Sequence, residues 1–244
     1  LEKEKLSKNL SITIIIPTLN EENRITRTLE SISEYISYKK NYDFELFIID
    51  ENSKDRTKEI FDSFCKIKNI DNFKFFTNKG KKRGKGASEK FILEMVSTDL
   101  FLLFDADSAV KIQYLDKFLD EKNFDLISGI RLNHPKSNSW SRHVIGLVNN
   151  LLLHLFLYRE VVPDSTCGFK LVRTSKYRTI KDMMFVNTGF FDVELIYLFL
   201  QNCYKVKFIP VQWDNSPDSR INVLKSIFVD LLNIFKIKIK HRKR

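Results

Sequence analysis

Asp105 and Asp107 stand either side of one small residue, Ala106, at the end of the apolar run FLLFDADSA, Phe101 to Ala109. A strand-forming run that stops in two carboxylates predicts a buried β-strand delivering acid at its carboxyl end. Side chains alternate along a strand, so both acids face one way if the extended geometry continues through Asp107. Two carboxylates aimed at one point repel. A hard divalent cation, Mg²⁺ or Mn²⁺, relieves that repulsion and can also hold a nucleotide diphosphate. Taken alone, a D-x-D triplet is more often a turn whose Asp caps the next helix, so its surroundings decide.

A second cluster with chemical potential is NKGKKRGKGASEK, Asn78 to Lys90, a basic loop carrying Gly80, Gly84 and Gly86. Glycines allow close backbone approach, and Lys81, Lys82, Arg83 and Lys85 could take a phosphate or a base edge. The G-K-[ST] ending of a Walker A loop is absent, and as an isolated feature the stretch reads as a solvated loop. Cys65, Cys167 and Cys203 are far apart and odd in number, which predicts reduced thiols rather than a disulfide framework or a zinc site. His134, His143, His154 and His241 also lack ligand spacing.

The elements that must position these residues alternate. Ser11 to Ile16, SITIII, predicts a first strand stopped by Pro17. Thr18, Asn20, Glu21 and Glu22 then supply the chemistry of a helix start, and Ile25, Leu29, Ile32 and Ile36 form one apolar stripe of a helix reaching about Tyr38. Phe44 to Ile49 repeats the strand and ends in Asp50 and Glu51, with Asn52, Ser53 and Asp55 before a helix over about 56–66. Phe73 to Thr77 is a third strand, and a helix over about 87–96 leads into the acid-bearing strand. Successive strand, loop and helix units predict a doubly wound α/β sheet, whose ligands bind beyond the carboxyl ends of the strands.

A chain of 244 residues, 43% hydrophobic and 30% charged, can bury one sizeable core. Its formal charge of +10 is unevenly placed. Lys236, Lys238, Lys240, Arg242, Lys243 and Arg244 supply six of those charges, leaving a nearly balanced body. A basic tail on such a body fits a membrane surface at least as well as a nucleic-acid arm, and no nucleic-acid reader motif or aromatic stacking cluster is present. There is neither a signal-peptide pattern nor an uninterrupted run of the roughly 18 apolar residues a spanning helix needs. A start at Leu1 without Met leaves room for a preceding anchor.

SITIIIPTLNEEN, FIIDENSKD and FLLFDADSA, in this order and spacing, resemble the glycosyltransferase family 2 pattern on a GT-A fold. The resemblance implies that Pro17, Thr18, Glu21 and Asp50 hold the nucleoside and that Asp105 and Asp107 hold a metal, Mg²⁺ or Mn²⁺, on the sugar diphosphate. Asn20, Ser53, Lys85, Ala106 and Arg220 complete the implied donor set. The usual second Asp after the second strand is Glu51 here, which keeps the charge on a longer arm.

The second half narrows the likeness. DLISGIRL, Asp125 to Leu132, resembles the segment that presents an Arg, here Arg131, to phosphate. VPDSTCGFKLV, FFDVELIYL and VQWDNSPDSR, beginning at Val162, Phe190 and Val211, resemble signatures of dolichyl-phosphate β-glucosyltransferases. Ser165 and Thr166 stand where that family has Thr and Gln, and Asp218, Ser219 and Arg220 where it has Gly, Ser and Lys. The resemblance implies Asp107, Asp164 and Arg131 as catalytic residues and Arg131, Lys170 and Ser219 as acceptor-binding ones. Asp164 could be a base, or Lys170 or Arg131 could position a phosphate. Asp192 and Glu194 cannot share a helix face, so one is expected near the site and the other in a structural role.

Two apolar segments bear on the lipid. His143 to Tyr158, and Ile221 to Lys240 with Leu224, Ile227, Phe228, Leu231, Leu232 and Phe235 as a stripe, could lie in a membrane interface or pack as core helices. The expectation is a GT-A catalytic domain over residues 1–218, with a mixed, mainly parallel sheet, followed by an amphipathic helix and basic tail over 219–244. Its expected activity is inverting transfer of glucose from UDP-glucose to dolichyl (polyprenyl) phosphate at a membrane surface. That surface is the cytosolic face of the endoplasmic reticulum in a eukaryote or the inner face of the plasma membrane in a prokaryote. GDP-mannose as donor, or a non-catalytic nucleotide- or membrane-binding module, are the alternatives.

Overall fold

The computed structural model describes residues 9–80, 82–133, 151–158, 161–214 and 223–241. Seven strands make one sheet in the order β3-β2-β1-β4-β6-β5-β7. They are β1 Leu10–Thr18, β2 Tyr42–Asp50, β3 Phe73–Thr77, β4 Leu100–Leu103, β5 Leu126–Asn133, β6 Lys170–Arg173 and β7 Val206–Trp213. β6 runs antiparallel to β4 and β5, and every other pairing is parallel. The result is the mixed, mainly parallel sheet that the likeness to a GT-A fold implies.

Strand alternation explains the two-sided core. Ile12, Ile14 and Ile16 of β1 pack with the helices Ile25–Tyr38, Thr57–Lys68 and Tyr114–Leu119 on one face. Ile15, Phe101 and Leu103 face the other way, toward the helices Lys85–Leu93, Thr174–Ile180 and Phe191–Gln201. The last of these is buried from Phe191 through Phe199, as a helix apolar on nearly all sides must be.

Pro17 does not stop β1, which continues to Thr18 in register with Asp50. Parallel strands bond to alternate neighbours, and Ile15 accepts from Phe104 on the β4 side while Thr18 accepts from Glu51 on the β2 side. The missing N–H of Pro17 therefore points to where β4 has already ended, and no ladder bond is lost. The helix expected from about residue 87 begins earlier, at Lys85, so that lysine leaves the basic loop and opens a helix.

The C-terminal helix spans Val223–Lys240. Of its described side chains Ile234 and Ile237 are buried against the core, while Leu232 and Phe235, from the apolar stripe read in the sequence, are exposed. Residues 151–156 are helical and meet it, Phe156 lying 5.4 Å from Phe235 between ring centroids. No helix among the described residues is long and apolar enough to cross a membrane.

Candidate active site

The carboxyl ends of β1, β2, β3 and β4 lie at one edge of the sheet, and the loops there are knitted together. Asp50, buried at the end of β2, accepts hydrogen bonds from Thr18 Oγ1 at 3.0 Å, from Ser53 N at 2.7 Å and from Ser53 Oγ. Ser53 Oγ in turn accepts from Asn20 N at 2.8 Å, and Asn20 Oδ1 accepts from Lys54 N at 2.8 Å. Asn20 and Asn52 both take positive φ, which Asn tolerates better than most residues. Glu21 pairs with Arg24 at 2.6 Å and donates its N–H to Thr57. The expected donor residues Thr18, Asn20, Glu21, Asp50 and Ser53 thus come together at the end of β1, beside Pro17. The carboxylate of Asp50 is engaged in closing that loop.

Glu51 uses its extra length. It accepts from Gly84 N at 3.0 Å and from Ser88 Oγ, so it ties the glycine-rich loop to the end of β2. Gly84 has φ +107°, and a Cβ there would meet the Asn187 carbonyl at 2.5 Å. Only glycine fits both demands.

Asp105 and Asp107 lie in a turn beyond β4, not on extended backbone, so simple alternation does not orient them. Ser108 N donates to Asp105 O, and Thr28 Oγ1 holds the turn by bonding to Ala106 O at 2.7 Å and Ser108 Oγ at 2.8 Å. The half-exposed Asp105 carboxylate receives Lys85 Nζ at 2.7 Å. Burial alone would raise its pKa, but the Lys85 ammonium overrides this and holds it below the usual range. Asp107 shifts the other way, raised by burial and then by the charge of Asp105. The two acids therefore sense one another.

This donor set suits a hard cation. Asp105 and Asp107 repel, and no group of three or more His, Cys, Asp or Glu side chains stands ready to enclose a metal among the described residues. A site with two carboxylates fits Mg²⁺ or Mn²⁺ that takes its remaining oxygens from a diphosphate and water.

Behind the acids lies a buried charge cluster. Lys85 Nζ is also 3.6 Å from Asp192 and 3.8 Å from Glu89. Lys170, fully buried, pairs with Asp192 at 2.9 Å and donates to Cys167 O. Lys170 was expected at an acceptor phosphate; here its charge answers Asp192 beneath the surface, since a buried ammonium needs a partner. Of the two acids in FFDVELIYL, Asp192 faces this cluster. Glu194 accepts from Phe185 N at 3.1 Å and Val186 N at 2.9 Å and pairs with His241 at 2.9 Å. Glu89, which sequence reasoning missed, has neither oxygen hydrogen-bonded, and burial pushes its carboxyl up to about 8. Its signal was position i+4 from Lys85.

Arg131 and Asp164 meet in a bidentate pair, Nε to Oδ2 at 2.7 Å and Nη2 to Oδ1 at 2.9 Å. Arg131 N and Thr166 N also donate to that carboxylate, at 3.2 and 3.1 Å. Burial would raise the pKa of Asp164, but these Arg131 bonds lower it, so it is a poor proton acceptor. Arg131 lies over Trp213, 5.7 Å from the ring centroid. A cavity of about 20 Å³ is lined by Asp105, Arg131, Cys167 and Gly168. Its volume is enough for roughly one water. A larger open depression near Lys122, Tyr204 and Lys207 lies at the amino ends of β5 and β7, away from the acids. Ser219 and Arg220, and the expected domain boundary at 218, fall outside the described residues.

Known proteins resemble this chain in sequence and in fold. A dolichyl-phosphate beta-glucosyltransferase of Trichomonas vaginalis is 27% identical over 241 residues, covering 91% of this chain and 72% of that protein. The Homo sapiens dolichyl-phosphate beta-glucosyltransferase is 25% identical over 231 residues, covering 88% and 71%. Among solved structures, mannosyl-3-phosphoglycerate synthase from Rubrobacter xylanophilus superposes with a TM-score of 0.73 at 14% identity, covering 96% of this chain and 75% of that one. Glucosyl-3-phosphoglycerate synthase from Mycobacterium tuberculosis, in complex with Mn²⁺, UDP-glucose and phosphoglyceric acid, gives 0.65 at 16%, covering 95% and 79%. The pattern of Glycosyl transferase family 2 matches residues 13–181, a stretch that contains the ends of β1, β2 and β4, both turn acids, Lys85 and the Arg131–Asp164 pair. This chain belongs to glycosyl transferase family 2.

Proposed function

We propose that the chain transfers glucose from UDP-glucose to dolichyl (polyprenyl) phosphate with inversion, giving the β-linked lipid sugar phosphate for glycan assembly. The observation that carries this reading is that Asp105 and Arg131 line one and the same cavity. A diphosphate belongs at the acids and an incoming phosphate at the guanidinium. The names of the relatives support glucose and dolichyl phosphate as the substrates.

The loop of Pro17, Thr18, Asn20, Glu21, Asp50 and Ser53 would receive the uridine, and Asp105 and Asp107 would hold Mg²⁺ or Mn²⁺, whose chemistry there would be to offset negative charge on the leaving UDP. Lys85, at the start of its helix, adds positive charge beside Asp105. Arg131 would take the acceptor phosphate, its planar fork held by Asp164 and Thr166. One phosphate oxygen then forms a bond to the anomeric carbon as the bond to the β-phosphate oxygen breaks, and UDP leaves from the opposite face. A phosphate monoester with a second pKa of about 6 is largely dianionic at neutral pH, so no proton need be removed. The saturated Asp164 agrees with that, since a carboxylate already accepting from Arg131 and Thr166 makes a weak base. Its place is then as positioner of Arg131. A lipid acceptor confines the reaction to a membrane surface, the cytosolic face of the endoplasmic reticulum in a eukaryotic cell.

The test is transfer in detergent with a short polyprenyl phosphate and Mn²⁺, comparing radiolabelled UDP-glucose and GDP-mannose. UDP-glucose turnover that falls by roughly a thousandfold or more in Asp107→Ala is expected. Preference for GDP-mannose would replace the donor. UDP binding without turnover on either donor would replace catalysis with a binding role.

A further inference from the structure

The C-terminal helix has two apolar faces. Ile234 and Ile237 are buried, at 1% and 0% exposure, and seat the helix on the core. Leu232, Phe235 and Ile239 project roughly opposite them at 3.6 residues per turn, and they are 42%, 41% and 73% exposed. The neighbouring helical residues Leu151 and Leu155, one turn apart, are 59% and 64% exposed, and contact between Phe156 and Phe235 makes the two exposed faces adjoin. An apolar face of this kind on a helix whose other side is already packed calls for a further partner.

The charges around it choose the partner. Lys236 and Lys240 lie along one edge of the exposed face and Lys238 along the other, where its ammonium sits over the Phe156 ring. From residue 231 to 244 the chain has no Asp or Glu, and it ends in Arg242, Lys243 and Arg244. A second copy of the chain docking here would set lysines against lysines. A nucleic acid would match the charge and leave the leucines in water. An anionic lipid bilayer meets both demands, because apolar side chains enter the acyl boundary while lysines stay among the headgroups.

We propose that Leu151, Leu155, Leu232, Phe235 and Ile239, rimmed by Lys236, Lys238 and Lys240, form the face by which the protein rests on an anionic bilayer. The two helical segments that carry the face are tied to the helix Phe191–Gln201. Tyr158, next to this helical pair, donates its hydroxyl to Val193 O, and His241 at the end of the C-terminal helix reaches Glu194. Both anchors fall within one turn of Asp192, which pairs with Lys85 and Lys170. The face is thus carried by elements joined to the helix that bears Asp192, whatever the donor or acceptor.

The experiment is flotation of the whole chain with phosphatidylcholine vesicles, with and without phosphatidylserine, at low salt. The unmodified chain floats with the anionic vesicles. Leu155→Ser with Ile239→Ser lowers partitioning by roughly tenfold or more. Lys236→Glu with Lys240→Glu lowers it comparably, and added salt has the same effect on the unmodified chain. Ile67→Ser, at an exposed residue of the helix Thr57–Lys68, leaves it unchanged. Unchanged urea midpoints in all three variants separate docking from folding. Equal flotation of the serine pair, or no flotation of the unmodified chain, overturns the proposal. So does a dimer in sedimentation that Leu155→Ser and Ile239→Ser dissociate, which assigns the face to a second copy. Transfer to a water-soluble short-chain phosphate without vesicles stays normal in these variants; its absence from the unmodified chain, with flotation intact, would count against the transfer reading alone.

Discussion

Gly168 sits so close to the turn of Asp105 and Asp107 that a single methyl group there would meet Asp105 Oδ2 at 1.9 Å. The C-G-F-K segment is therefore part of the wall of the acid site, a contact that its letters alone did not announce. Glu89 is the other residue whose role is spatial. Burial, and then the carboxylate of Asp192, raise its pKa against the pull of Lys85, from 4.5 to about 8. The folded chain holds that proton up to about pH 8, whereas the unfolded chain releases it near 4.5. Folding takes up a proton in that window, so the stability Glu89 contributes is present below it and lost as pH rises through it. Glu89→Gln removes the titration. We expect the variant to match the unmodified chain in urea unfolding at the acid end of the window and to exceed it in stability at the alkaline end. Parallel pH profiles would mean that Glu89 is ionised as a partner of Lys85. The acids Asp105 and Asp107, and the loop of Thr18, Asn20, Asp50 and Ser53, were legible because strand ends and turn residues mark them. Glu89, Thr28 and the pairing of Lys170 with Asp192 were not, because they depend on which helix lies behind which strand.

The helix Phe191–Gln201 joins two halves of the molecule. Asp192 in its first turn faces Lys85 and Lys170, and Glu194 faces the C-terminal helix through His241. Glu194 also holds the backbone of Phe185 and Val186, and the next residue, Asn187, accepts from Ala87 N at 3.1 Å, at the start of the helix bearing Lys85. His241→Leu leaves a fully buried carboxylate without its ring partner, and we expect it to lower the unfolding free energy in urea by about 1–3 kcal/mol. His241→Gln, which can still donate, should recover part of that loss; equal loss in both would assign the effect to packing between Phe185 and Tyr197. Periodicity made most elements readable, and it misjudged one for a definite reason: β1 passes through Pro17 because its neighbour on that side has ended. For the C-terminal helix it left two placements open, and the structure buries Ile234 and Ile237 while leaving Leu232 and Phe235 outside.

At the scale of the molecule, alternation of strands and helices predicted the parallel half of the sheet, β3-β2-β1-β4. The reversal at β6 was not readable, since nothing local in KLVR tells a parallel strand from an antiparallel one. That reversal brings the residues just before Lys170 to the end of the sheet where β4 delivers its acids, which is how Gly168 comes to face Asp105. Burial of the helix Phe191–Gln201 on all sides has a consequence for time as well as for space. Its interior amides can exchange with deuterium only when the layers above and below separate, which makes them a clock for opening of the whole protein. In native-state exchange, residues 195–199 should be among the slowest in the chain and should share one opening free energy with the amides of β1 and β4. Faster, separate exchange in that helix would mean that the floor of the acid cleft opens without the sheet.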